Sequence, residues 1–194
     1  MASRIDRLDR LSDQQVHAVQ RLVAAAPGAS DNPPISEGAL LQLRSGEPVR
    51  HLLATDAELS AEATGYAQLA PSPHGPTAEL VAVDAGAGTE LLGALERLAG
   101  ADGLRLWAHG ADSIAGQAAR QAGLVEVRAL LQLRRSLADL QLPPPELPAG
   151  VRIRAFVPGR DDRRWLAVNA RAFADHPEQG SWTERELAER LSAS

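Results

Sequence analysis

Apolar and polar positions divide most of the chain into recognisable elements. Val16, Val19, Leu22 and Val23 recur at helical spacing behind Ser12, a good N-capping residue, so a helix is expected that ends at Pro27-Gly28. A second, short helix is expected after Pro33-Pro34-Ile35-Ser36, with Ser36 as N-cap and Glu37 in the first turn, where the helix dipole favours a carboxylate. Residues 49–55 and 63–69 read as strands, and residues 77–83 as a buried strand closed by Asp84-Ala85-Gly86-Ala87-Gly88. Leu91, Leu92, Leu95 and Leu98 then fall at helical spacing. Residues 104–109 read as a strand ended by Gly110, and residues 113–122 as a small-residue helix with Gly123 at its C′ position. Val125, Val127, Ala129, Leu131 and Leu133 alternate with mostly polar neighbours, which predicts a half-buried strand over 125–133. The order helix, helix, three strands, helix, strand, helix, strand points to a mixed α/β or α+β domain.

A proline-rich break separates this domain, residues 1–136, from the C-terminal stretch. Pro143-Pro144-Pro145 disfavours helix and extends the backbone toward polyproline II, so residues 137–149 are expected to be a linker. From Gly150 a strand, a helix, the segment Ala174-Asp175-His176-Pro177-Glu178-Gln179-Gly180-Ser181-Trp182 and another helix start are expected. A stretch as short as 150–194 cannot bury a core of its own, so it is expected to be the incomplete beginning of a second domain.

Composition narrows the chemistry. Hydrophobic content of 44% and charge of 23% are ordinary for a globular protein, and no run approaches a membrane span. No apolar segment follows the N-terminal Met-Ala-Ser-Arg-Ile-Asp-Arg, so a cytoplasmic location and no membrane partner are expected. The absence of cysteine excludes disulfides, thiolate metal sites and a cysteine nucleophile. A net charge of −5 with three Trp, two Phe and one Tyr argues against a nucleic-acid surface. His17, His51 and His74 make no metal-ligand spacing, so no metal is assigned. His109, at a strand end, is read as structural, and His176 as shaping its loop.

The junction at residues 78–95 carries the recognisable ligand chemistry. Glycines ahead of a helix let backbone N–H groups approach a phosphate that the helix end favours. A dinucleotide fingerprint would need a third glycine where Leu91 sits, and a P-loop would need Gly-Lys-Ser/Thr; a plain tight turn stays equally open. The order of elements resembles the GCN5-related N-acetyltransferase fold. The resemblance implies a mixed sheet flanked by helices, whose fourth strand splays from the fifth, offers its backbone to the pantetheine arm of acetyl-CoA and leads into a pyrophosphate loop of the form Arg/Gln-x-x-Gly-x-Gly/Ala. That loop aligns with Val83-Asp84-Ala85-Gly86-Ala87-Gly88; the glycines match, the lead position holds Val83, and Asp84 sets negative charge beside the expected pyrophosphate.

Within that superfamily, Glu79-Leu80-Val81, Trp107-Ala108-His109-Gly110, Gly123-Leu124-Val125-Glu126-Val127-Arg128, Val151-Arg152-Ile153-Arg154 and the segment from Ala174 to Gly180 resemble the mycothiol synthase family in order and spacing. The resemblance implies two acetyltransferase domains in tandem. It also implies transfer of acetyl from acetyl-CoA to the cysteinyl amine of cysteine–glucosamine–inositol, the last step of mycothiol synthesis, by a protein that is monomeric at full length. Glu37 and Glu178 match substrate-contacting glutamates. Leu80, Val81 and Ala82, with Gly86, Ala87, Gly88 and Thr89, match a first, non-catalytic acetyl-CoA site. The family's catalytic machinery lies mainly in the second domain, so no catalytic residue is assigned and this chain alone is expected to be inactive. A non-catalytic acetyl-CoA-binding or structural module, or an unrelated α/β binding module, are the alternatives.

Overall fold

The computed structural model describes residues 3–26, 33–44, 48–56, 62–72, 74–138, 146–175 and 182–192. The chain divides into two compact units, Met1–Arg128 and Ala129–Ser194.

The first unit is built on a five-stranded mixed sheet of α/β class. Its strands are β1 (Ser3–Leu8), β2 (Arg50–Asp56), β3 (Ala63–Ala70), β4 (Thr77–Ala82) and β5 (Arg105–Trp107), in spatial order β1-β2-β3-β4-β5. The first four are antiparallel neighbours, and β5 runs parallel to β4. That last pairing is brief. Thr77, Ala78 and Glu79 face Arg105, Leu106 and Trp107, after which Leu80, Val81 and Ala82 continue beyond the β5 ladder. The ladder ends there because β5 itself stops at Trp107.

Strand alternation sorts side chains onto two faces. Leu52, Ala54, Ala67, Leu69, Ala78, Leu80 and Ala82 pack with α3 (Ala85–Ala99) and α4 (Ile114–Gln121). Leu53, Tyr66 and Val81 face the other way, against α1 (Asp13–Ala25) and α2 (Glu37–Gln42). Leu91, Leu92 and Leu95 of α3 are fully buried, and each such side chain contributes about 1.5–3 kcal/mol over an exposed one. Each of these helices begins on a side-chain cap: Ser12 in a capping box with Gln15, then Ser36, Asp84 and Ser113.

Three strand assignments differ from the sequence pattern. β1 has only Ile5 and Leu8 as apolar residues among charges, too weak an alternation to read, yet it pairs with β2 along its whole length. Residues 125–133 are extended but unpaired: Val125, Val127, Leu131 and Leu133 are all more than 80% exposed. Alternation creates one apolar face, but a strand also needs a ladder partner, and none of the described segments supplies one there. The same holds for residues 151–157, which lie exposed instead of forming a strand. Pro27-Gly28 and Pro143-Pro144-Pro145 lie outside the described residues.

The second unit has two described helices, α5 (Asp162–Ala172) and α6 (Glu184–Ser192). Trp165 meets Trp182 edge to face at 5.5 Å, and the Arg190 guanidinium lies 5.4 Å from the Trp182 ring centre. Asp161, at the start of α5, takes hydrogen bonds from Arg154, Arg160 and the Val157 N–H, which hold its carboxyl well below the ordinary range.

Two glycines give opposite expectations. A Cβ on Gly116 of α4 would overlap the Ala111 carbonyl, whereas one on Gly93 of α3 would meet only the end of Arg97 at 3.4 Å. Gly116→Ala should cost about 1–3 kcal/mol of stability in urea unfolding. Gly93→Ala should be neutral or stabilise by about 0.5–1 kcal/mol, because alanine is the better helix former.

Candidate functional site

A crease lies beside β4 past the end of the β5 ladder. Its floor is Leu80, Val81 and Ala82 of β4, one side is Ala26 and Pro34, and the other is Ser113, Ile114 and Ala115 at the start of α4. Alanine, serine, proline and aliphatic residues make up this lining, with no charge among them.

Glu79 stands at the head of the crease, one residue before its floor. Its Oε2 accepts from the Ser36 N–H at 2.6 Å and from His109 Nε2 at 2.8 Å, and its Oε1 accepts from the Ser36 hydroxyl at 2.6 Å. A carboxylate offers no proton, so His109 Nε2 carries the hydrogen of that bond. Burial alone would push the Glu79 carboxyl up, but the hydrogen bonds from His109 and Ser36, with attraction to the imidazole, outweigh it and hold the group below its ordinary value. Ser36 also accepts from the Ala39 N–H at 3.1 Å, so one hydroxyl both caps α2 and donates to Glu79.

A second polar chain crosses the same sheet face. His51 Nδ1 lies 2.8 Å from the Tyr66 hydroxyl, which donates to Gln68 Oε1 at 3.0 Å; Gln68 Nε2 donates to Gln42 Oε1 of α2 at 2.9 Å. Burial pushes the Tyr66 phenol up and the His51 imidazole down, so both are neutral at physiological pH.

The residues singled out from sequence separate into groups. Leu80, Val81 and Ala82 come together as the floor of the crease. Gly86, Ala87, Gly88 and Thr89 lie in the first turns of α3 and not in a loop ahead of it. Ala87 and Gly88 are buried, and the Ala87 N–H donates to Asp84 Oδ1 at 2.8 Å. Asp84 therefore occupies, with its own carboxylate, a donor that a pyrophosphate would use. Gly88 is small for packing: a Cβ there would come within 2.5 Å of Ile114 Cγ2. The Thr89 hydroxyl donates to the Ala85 carbonyl. The crease suits a pantetheine arm in its uncharged lining; the start of α3, with the Asp84 carboxylate on the Ala87 N–H, does not suit a pyrophosphate.

Glu37 is exposed as the first residue of α2, directly after Ser36. Glu178 and His176 lie outside the described residues. His109 has the partner expected of a structural histidine, in Glu79. Glu79 itself is not a residue that the strand pattern singles out for a site. The available signal is an acid inside Ala78-Glu79-Leu80-Val81-Ala82, since a carboxylate in an apolar strand has to be met by donors. Among the described residues no group of three or more acidic or histidine side chains could hold a metal ion, and no helix is long and apolar enough to cross a membrane.

The chain is 48% identical over 195 residues to a mycothiol acetyltransferase of Streptomyces avermitilis, a match covering 96% of this chain and 62% of that protein. It is 45% identical to one from Thermobispora bispora, covering 98% and 64%, and 46% identical to one from Frankia alni, covering 93% and 59%. The chain thus spans about three fifths of the length of these curated relatives. No protein-family model matches it.

The Glu79 bonds have a testable acid limb. A carboxyl held below its ordinary value of 4.5 contributes stability that is present above that pH and is lost as pH falls through the lower folded value. Glu79→Gln should cost roughly 1–3 kcal/mol at pH 7, as charge-assisted bonds become neutral ones, and the gap to the unsubstituted protein should shrink by pH 3. Urea unfolding of both proteins at the two pH values checks this.

Proposed function

This chain is a relative of the mycothiol acetyltransferases, and on that ground we propose that it forms the N-terminal part of an acetyl-CoA-dependent N-acetyltransferase. Its acceptor in this reading is the cysteinyl amine of cysteine–glucosamine–inositol. The observation that carries the reading is the end of the β4–β5 ladder at Glu79, past which Leu80, Val81 and Ala82 line a crease. Acetyl-CoA would supply the thioester carbonyl that the acceptor amine attacks. The chain's own contribution is binding: the crease takes the pantetheine arm, and Glu37 and Glu178 take the amine or hydroxyls of the acceptor through charge-assisted contacts.

Proton removal from the amine is not a task for the described cleft. Glu79, beside the crease, is already engaged by three donors and held as a carboxylate, which leaves it a poor base. We therefore assign residues 1–136 as a first, non-catalytic acetyltransferase module, residues 137–149 as a linker and residues 150–194 as part of a second module. The monomeric, cytoplasmic character expected from the sequence belongs to the same reading. A purely structural module is the second reading, favoured by the Asp84 cap that stands where the pyrophosphate would bind.

Binding and turnover test these assignments. Acetyl-CoA should bind the chain weakly. Asp84→Asn, which keeps a capping oxygen and removes the charge, should tighten binding about threefold to tenfold in calorimetric titration. Residues 1–194 alone should release no CoA thiol in the presence of acceptor, whereas a protein extended to the full length of the relatives should. In that extended protein Glu178→Ala should lower kcat/KM for the acceptor by about tenfold to a hundredfold, with little change for acetyl-CoA. Turnover by residues 1–194 would overturn the non-catalytic assignment. Unchanged affinity in Asp84→Asn would favour the purely structural module.

A further inference from the structure

We propose that residues 125–133 form one strand of a β-ladder whose other strand belongs to the part of the protein that the longer relatives carry beyond their match to this chain. The inference uses the reading of the chain as the N-terminal part of a longer protein, and it is independent of any ligand.

The first ground is what these residues expose. Val125, Val127, Ala129, Leu131 and Leu133 alternate with Glu126, Arg128, Leu130, Gln132 and Arg134, which sets the first group on one face of an extended backbone. The backbone is extended there, yet it belongs to no ladder. Val125, Val127, Leu131 and Leu133 are each more than 80% exposed, whereas β2, β3 and β4 bury their large apolar side chains. A row of large aliphatic side chains in water marks a surface that something covers, and an open strand edge offers its backbone groups to another strand.

The second ground is that the fold fixes where this strand starts. Gly123 closes α4 in the left-handed region at φ +78°, with its N–H donating to the Arg120 carbonyl and the Leu124 N–H donating to the Ala119 carbonyl. Leu124 then packs against the core that α3 and α4 share with the sheet. The exposed run therefore leaves a folded helix at a set place. The sheet itself also ends on an open edge: among the described residues β5 pairs with β4 alone, and Leu104, Leu106 and Trp107 are only half-buried.

The occupant is a segment of the same protein and not a second copy. Antiparallel self-pairing about Ala129 would match Val127 with Leu131 and Val125 with Leu133. It would also leave both apolar rows on one side of a two-stranded ribbon, still in water, and an isolated ribbon is marginal. Burying them takes a strand that brings further structure with it. The chain spans about three fifths of the length of its curated relatives, so their remaining part is large enough to supply that structure.

The test compares the 194-residue chain with a form extended to the full length of the relatives. Hydrogen exchange followed by NMR should show every second amide from Val125 to Leu133 slowed by about a hundredfold or more in the extended form. Leu131→Asp should leave the melting temperature of the 194-residue chain within about 1 °C and lower that of the extended form by about 5 °C or more. Leu131→Thr keeps a good strand former, so it should show the same contrast at reduced size, and it keeps the test decisive if the extended Leu131→Asp form does not fold. Equal exchange in the two forms, or equal melting shifts, would overturn the ladder. Protection already present in the 194-residue chain would overturn it too, assigning the strand to a second copy if it grows with concentration and to a partner within these residues if it does not. Slowed exchange in the extended form, with no acetyl-CoA bound by either form, would overturn the acetyl-CoA reading and uphold the ladder.

Discussion

A carboxylate removed from water has to be met by donors, and the first unit is organised around meeting the one that Glu79 places on the inner face of β4. The donors come from the start of α2, 43 residues earlier in the chain, and from His109, 30 residues later. Both segments also pack on the core, through Ile35, Ala39 and Leu43 on one side and Leu106 and Ala108 on the other. α2 is too short to be stable by itself, and the described residues after β5 form no further strand. Apolar burial seats them, and the donors they give to one carboxylate fix how they meet β4.

The two apolar faces of the sheet carry different duties. On the α3 and α4 side the core is leucine and alanine, with glycines where two elements meet closely, and among the described residues no polar side chain is buried there. On the α1 and α2 side His51, Tyr66, Gln68 and Glu79 lie among the aliphatic residues. A dry face of this kind tolerates little change of volume, whereas a face with directional bonds is selective about orientation. The candidate ligand cleft opens beside the selective face.

The elements legible in the sequence are those whose signal is local. The helices behind Ser12, Ser36, Asp84 and Ser113, and β2, β3 and β4, each combine a cap or a turn with a periodic apolar run, and all lie close to their expected bounds. β1 is invisible because its pairing with β2 contributes more than its two apolar side chains. Residues 125–133 show the reverse error, periodicity without a partner. At the site, Leu80, Val81 and Ala82 are legible as the end of a buried strand. Glu79 is not, because its mark is its contact with Ser36 and His109, and distance along the chain hides such contacts from any reading of neighbours. Asp84 is legible as an unfavourable charge but not as a cap, since that role depends on where the helix begins.

The relay from His51 through Tyr66 and Gln68 to Gln42 runs in one direction, each group donating to the next. Its first three members lie on adjacent strands, with His51 paired across from Gln68 and Leu53 across from Tyr66. Sliding β2 by one residue would turn His51 into the leucine-lined face and bring Leu52 against the hydroxyl, stranding polar atoms on both sides. Aliphatic side chains alone would distinguish such alignments poorly, because a leucine fits either side of this sheet. The relay acts as a notch that seats β2 against β3 in one alignment, and so indexes the β2–β4 meander by polar contacts where its leucines would not.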